Sequence, residues 1–333
     1  MLLGNKLLDR ASRAVAWFGA VGALYALLDH FHVDPKIELP LLGALTLDVF
    51  LLTELLLFPT VKLVEVKAAP KSQQPRAFVE ALLDFARSLQ KGGNTTTVLE
   101  IRDSMSHLLH LLGEHEARYQ LGEIALAAAV QADDKVRHAE ILIDDLGWAA
   151  FKAHQKQRAE GNINRGISLA SAIGQLTPRD YGAAQLTAAK GYRHLAMMAA
   201  GSGSATKYLE SSRRILEMLN ANPTTAEMFR QSTDRDLAQV DHAEATIILR
   251  DLGLENSGEL AAANAQATKK IQDGLAIVSQ SATAFERLGD YERLTKALIT
   301  KERTLAALGD ETAALEIRAQ RESLARSHSV RKQ

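Results

Sequence analysis

Apolar residues crowd one end of this 333-residue chain, and that asymmetry restricts its folds more than any motif does. Residues 14–28 read AVAWFGAVGALYALL, without a single charge. A polar stretch follows, DHFHVDPKIE at 29–38, and then a second apolar run, LPLLGALTLDVFLLTELLLF at 39–58. From about residue 75 the sequence turns charged and Ala-rich and stays so to its end. Ala and Leu dominate and proline numbers only 7, a balance that favours helices over sheets. The chain has no cysteine, which excludes disulfides, thiolate zinc, iron–sulfur clusters and a cysteine nucleophile. Lys and Arg total 39 against 40 Asp and Glu, so the chain is not built chiefly to cover nucleic-acid phosphates, and no nucleic-acid partner is expected.

The segments 14–31 and 39–60 are read as a transmembrane helical hairpin, because a span takes about 17–25 apolar residues. Charge placement agrees. Lys6, Arg10 and Arg13 precede the first segment, and Lys62, Lys67, Lys71 and Arg76 follow the second. The loop between holds Asp29, Asp34 and Glu38 against Lys36 alone, so the positive-inside rule keeps both ends cytoplasmic. Asp48 and Glu54 interrupt the second segment. Each costs about 2.5–3.5 kcal/mol at the bilayer centre, which offsets the gain from the surrounding Leu, Val and Phe. The helix therefore needs a partner, and Ala16, Gly19, Ala20 and Ala23 give the first segment the small-residue spacing that lets backbones approach. These two intramembrane acids are either functional groups or residues held near headgroups by tilt. Two other readings of the region remain: a pair of core helices in a soluble protein, and a signal or single anchor, although no small-residue cleavage site follows Leu28. The organisation expected is a hairpin over 1–64, a linker over 65–76 carrying Pro70 and Pro75, and a helical repeat domain over 77–333.

Within that domain the punctuation recurs. In LGWAAFKAHQKQRAEGNINRG (146–166), Gly147 sits mid-helix, a break falls near His154-Gln155, and Ala159, Ile163 and Gly166 follow at helical spacing. Comparable turns fall near 113, 201 and 256 and at the LGD of 308–310. This arrangement resembles the tetratricopeptide repeat, although the spacing of roughly 41 to 55 residues between turns exceeds the family's 34. The resemblance implies an all-α protein, an α-solenoid of stacked helical hairpins that binds a protein or peptide along a groove lined by the first helix of each unit. It assigns to that groove Glu100, Asp103, His107 and His110, then Asp144, Trp148 and Lys152, then Gln185 and Tyr192, and finally Lys296 and Arg303. The competing reading makes Trp148 and Tyr192 interhelix packing residues.

Chemical motifs are absent from the sequence. Asp103, His107, His110 and Glu114 share a helical face, but the run is not HExxH and no Glu-x-x-His recurs on another helix, so no metal is expected. KGGNTTT at 91–97 lacks the ending of a phosphate loop and is read as a helix end at Gly92-Gly93 followed by a cap at Asn94 or Thr95. No catalytic residue and no cofactor is assigned. The leading functional reading is an inner-membrane scaffold that recruits a protein partner to the bilayer. Its rivals are a channel-like oligomer with the repeats as sensor or assembly platform, for which homo-oligomerisation is needed, and a soluble helical regulator. A reporter-fusion map checks the orientation: fusions at the C-terminus report the cytoplasm and fusions after Asp34 the opposite side, and a non-cytoplasmic C-terminus refutes it.

Overall fold

A computed structural model describes residues 74–173, 177–254 and 265–330, and every element among them is helical. The expected hairpin over 1–64, with Asp48 and Glu54, lies outside the described residues, as does most of the linker. None of the described helices is long and apolar enough to cross a membrane. The chain divides into two compact units, residues 1–133 with 328–333, and residues 134–327.

In the first unit the described helices are α1 (Gln74–Lys91), α2 (Thr95–Leu111) and α3 (His115–Gln131), each packed on the other two. Helix α1 starts three residues before the expected domain boundary, because a proline in the first turn has no N–H to lose, and Pro75 takes that place. Val98, Leu99, Leu109 and Leu121 are fully or almost fully buried there.

The second unit opens with a single rod: α4 (Lys135–Ile141), a π-helical stretch (Leu142–Trp148) and α5 (Ala149–Lys152). It continues with α6 (Lys156–Ala172), α7 (Pro178–Met198), α8 (Ser204–Ala221), α9 (Pro223–Asp251), α10 (Ala265–Arg287), α11 (Tyr291–Ala307) and, up to Ser327, α12 (Glu311–Val330). Each helix from α6 to α9 packs on the next, and so do α9 on α10 and α10 on α11. The first helix of each hairpin also touches the first helix of the following one: the α4 rod meets α7, α7 meets α9, and α9 meets α11. These first helices run in the same direction, since Asp144 and Trp148 meet Lys190 and His194 in that order, and Gly182 and Arg193 meet Phe229 and Asp236.

Most turns share one construction. A residue enters the left-handed region at Gly93, Gly113, Asp133, His154, Gly253, Gly289 and Gly309. Its N–H and the next N–H close the preceding helix: Gly289 donates to the Glu286 carbonyl (3.0 Å) and Asp290 to that of Phe285 (2.9 Å). The second donor then caps the next helix, Asp290 Oδ1 accepting from the Arg293 N–H at 3.2 Å. Asn94 and Asp310 play both parts in the same way. The left-handed residues at 93, 113, 133 and 154 are 20, 20 and 21 apart, a helix-plus-turn half-unit more regular than the turn spacing read from the sequence. Helices α7 and α9 begin instead with Thr177-Pro178 and Asn222-Pro223, a side-chain cap followed by a proline that needs no partner.

Glycines at the crossings set the interhelix distance. A Cβ on Gly147 would collide with Ile163 of α6, and one on Gly166 with Ile143 of the π-helical stretch. At Gly191 of α7 it would meet Ile167 and Ile143 together. Three helices thus interlock by isoleucine into glycine. Overpacking a tight crossing costs about 1–3 kcal/mol. Gly191→Val is therefore expected to lower stability by about 3 kcal/mol. Gly161→Ala, on the open face of α6 with nothing within 4 Å, is expected to raise it by up to about 1 kcal/mol. Urea unfolding of the two variants measures the contrast.

Candidate partner-binding face

The first helices of the second unit carry polar side chains along their shared layer, and these join helix to helix. Lys190 of α7 donates to Asp144 of the π-helical stretch at 2.8 Å and lies 4.0 Å from Glu140 of α4. One turn on, Arg193 donates to Asp236 of α9 at 3.2 Å, and Gln239 donates to the same carboxylate oxygen at 2.8 Å. His242 of α9 meets the hydroxyl of Thr300 on α11 at 2.9 Å. That hydroxyl donates to the Lys296 carbonyl at 3.2 Å, which assigns its lone pairs to the His242 Nε2–H. Each junction between first helices therefore has a polar rung.

Burial alone would depress the Lys190 ammonium. The carboxylates of Asp144 and Glu140, the hydrogen bond to Asp144 and the more distant Asp236 together outweigh it and hold the group above its ordinary value. Lys190 stays charged, and removing its acids would strand a half-buried cation. His242 goes the other way. Its burial, then the cations Lys296 and Arg193, push it down to about 4, with the Lys296 backbone carbonyl as a smaller opposing influence. A neutral imidazole fills this junction at neutral pH.

Trp148 closes the last turn of the π-helical stretch. Its indole stacks on His194 of α7 with centroids 4.3 Å apart and planes 21° apart, Lys152 Nζ lies 5.0 Å from the ring centre, and Phe151 packs at 5.2 Å. The widened turn is held from outside, Asn162 of α6 donating to the Leu146 carbonyl at 3.1 Å.

The eleven residues assigned to a groove fall into different places. Glu100, Asp103 and His107 are exposed on α2 of the first unit and His110 is half-buried there. Asp103 accepts from Arg102 at 3.0 Å, and the His107 and His110 rings lie 6.5 Å apart. Among the described residues no group of three His, Asp or Glu could hold a metal ion. The other seven residues belong to the second unit. Asp144, Trp148 and Lys152 stand on the polar layer. Lys296 is exposed on α11, paired with Glu292 at 2.6 Å, and Arg303 is exposed two turns further on. Tyr192 turns to the second helix of its hairpin, stacking on Tyr208 of α8 at 6.4 Å, and Gln185, two turns earlier, is half-buried on the same side. Sequence reasoning missed Lys190, Arg193, Asp236 and His242. Lys190 and Tyr192 lie about 200° apart around α7, so choosing the aromatic selected the opposite face. The available signal was Lys190 and Arg193, two cations three residues apart in an otherwise Ala-rich helix.

His242 makes stability depend on pH. Its folded value lies below the unfolded 6.5, so between pH 6.5 and about 4 the unfolded chain binds the extra proton. Its contribution is complete above pH 6.5 and is lost as pH falls through that window, by up to about 3 kcal/mol. His242→Gln is expected to flatten the fall, measured as the urea midpoint at pH 7.5 and 4.5. An unchanged slope refutes the assignment.

Compared with known protein families and with curated proteins, the chain matches no family model and no curated sequence.

Proposed function

We propose that the chain is a membrane-anchored helical-repeat scaffold that recruits a protein partner, the second unit holding that partner on the layer formed by its first helices. The observation that carries the reading is the parallel alignment of those helices, with their polar side chains gathered on one layer. Helical hairpins stacked with like helices side by side are the arrangement in which tetratricopeptide-type solenoids bind extended or helical segments. The polar groups engage one another in pairs and do not converge on a nucleophile and base, which supports a binding module over an enzyme. The anchor in this reading is the apolar pair 14–31 and 39–60, with the repeat domain in the cytoplasm. Confinement to the bilayer would raise the partner's effective concentration there without any new contact.

Photo-crosslinking in cells that produce the full chain tests the proposal. A benzophenone side chain is placed at Lys152 or Lys296 on the first helices, and at Glu210 or Glu217 on exposed positions of α8. The first two positions are expected to give a discrete adduct with another protein and the α8 positions none. Adducts from α8 alone, equal adducts from all four positions, or no adduct at all would each sink the reading.

A further inference from the structure

We infer that the π-helical stretch is a conformational device set by Asn162. While the Asn162 amide holds the Leu146 carbonyl, the rod turns Trp148 and α5 towards α7; without that bond it winds as an α-helix and carries them away. This holds whether or not a partner binds, since every contact involved lies within the second unit. The contacts come in two pairs with one spacing. Leu142 and Gly147 both face α6: a Cβ added at Gly166 would lie 3.1 Å from that of Leu142, and one at Gly147 would collide with Ile163. Ile143 and Trp148 both face α7: Ile143 Cδ1 would lie 3.0 Å from a Cβ added at Gly191, and the Trp148 indole stacks on His194 at 4.3 Å. In each pair the rod residues are five apart, while the residues they meet are three apart, Ile163 and Gly166 on α6 and Gly191 and His194 on α7.

An α-helical rod cannot satisfy either pair. Its residues five apart would diverge by about 140° and rise about 7.5 Å, whereas three residues of an α-helical neighbour rise about 4.5 Å. A π-helix, whose bonds join each residue to the fifth before it, stacks such residues on one side and closes both pairs together. The prop that keeps the coil open stands outside it. Asn162 donates to the Leu146 carbonyl at 3.1 Å and directly precedes Ile163, the side chain that Gly147 admits. A side chain that enters the ladder of backbone bonds in this way is an established cause of a locally altered helix. From Ala149 to Lys152 the rod is α-helical again, so these residues turn with Trp148 as one piece. Phe151 packs on the indole at 5.2 Å and Lys152 Nζ lies 5.0 Å from its centre. Asn162 is thus a positioning residue for an aromatic cluster on a different helix.

The test uses the full chain in detergent with Trp17→Phe, so that Trp148 is its only indole. Acrylamide quenching of the fluorescence reads how well that ring is covered. Asn162→Leu is expected to raise the quenching constant about twofold, since the net worth of one hydrogen bond is enough to change which coil predominates. His194→Leu, which takes away the ring beneath Trp148, is expected to raise it in the parent and to add nothing in the Asn162→Leu protein. Loosened packing alone would not produce that non-additivity. Asn164→Leu, exposed on the same helix, is expected to change nothing. Circular dichroism checks that each variant is folded. Should Asn162→Leu fail to fold, Asn162→Asp, of the same size but with no proton to donate, takes its place. Unchanged quenching on loss of the Asn162 amide, an equal rise in Asn164→Leu, or additive effects of the Asn162 and His194 substitutions overturns the inference.

Discussion

The close approach of three helices through glycine is the constraint on which the second unit rests. Ile143 enters the positions opened by Gly166 and Gly191, Ile163 that of Gly147, and Ile167 again that of Gly191. These contacts fix the α4 rod, α6 and α7 at a separation no larger residue permits. The polar rungs depend on it. Lys190 follows directly before Gly191 and Asp144 directly after Ile143, so the same crossing that seats the isoleucine brings ammonium and carboxylate to 2.8 Å. Packing comes first in this hierarchy, because a rung of half-buried charges has little net worth unless its geometry is fixed by something else.

The turns supply the second regularity. One side chain and one N–H of a single residue end one helix and begin another, at Asn94, Asp290 and Asp310. A connection that short leaves consecutive helices no choice but to fold back on each other, so the chain becomes a succession of hairpins. His154 and Asp133 hold the left-handed conformation without glycine, at φ 63 and 51. Asp and His both tolerate that region better than most residues, and the His154 turn is closed by its own N–H to the Phe151 carbonyl at 3.0 Å.

Much of the helical framework was legible in the sequence, and the physical reason is that its signals are local. Asn94 after two glycines, the GSGS run at the start of α8 and the LGD at 308–310 each act through neighbours a few residues away. The polar layer was hidden for the opposite reason. Lys190 and Asp144 are 46 residues apart and His242 and Thr300 are 58 apart, and only tertiary packing selects which side of α7 and α9 faces the next hairpin. Trp148 and Tyr192 read alike in the sequence, yet one stacks on His194 of the next first helix and the other on Tyr208 of its own hairpin partner. The π-helical stretch had no sequence mark at all, since nothing in LIDDLGW distinguishes five-residue from four-residue bonding.

That widened turn has a bearing on what the rod could be without its neighbours. The Leu146 carbonyl receives its proton from Asn162, on a separate helix beyond the His154 break. An isolated peptide of residues 135–152 would have no such donor and would gain nothing by spreading its coil. The bulge is thus secondary structure that depends on tertiary structure: the widened pitch of the rod is held by a bond that only the packed α6 can supply.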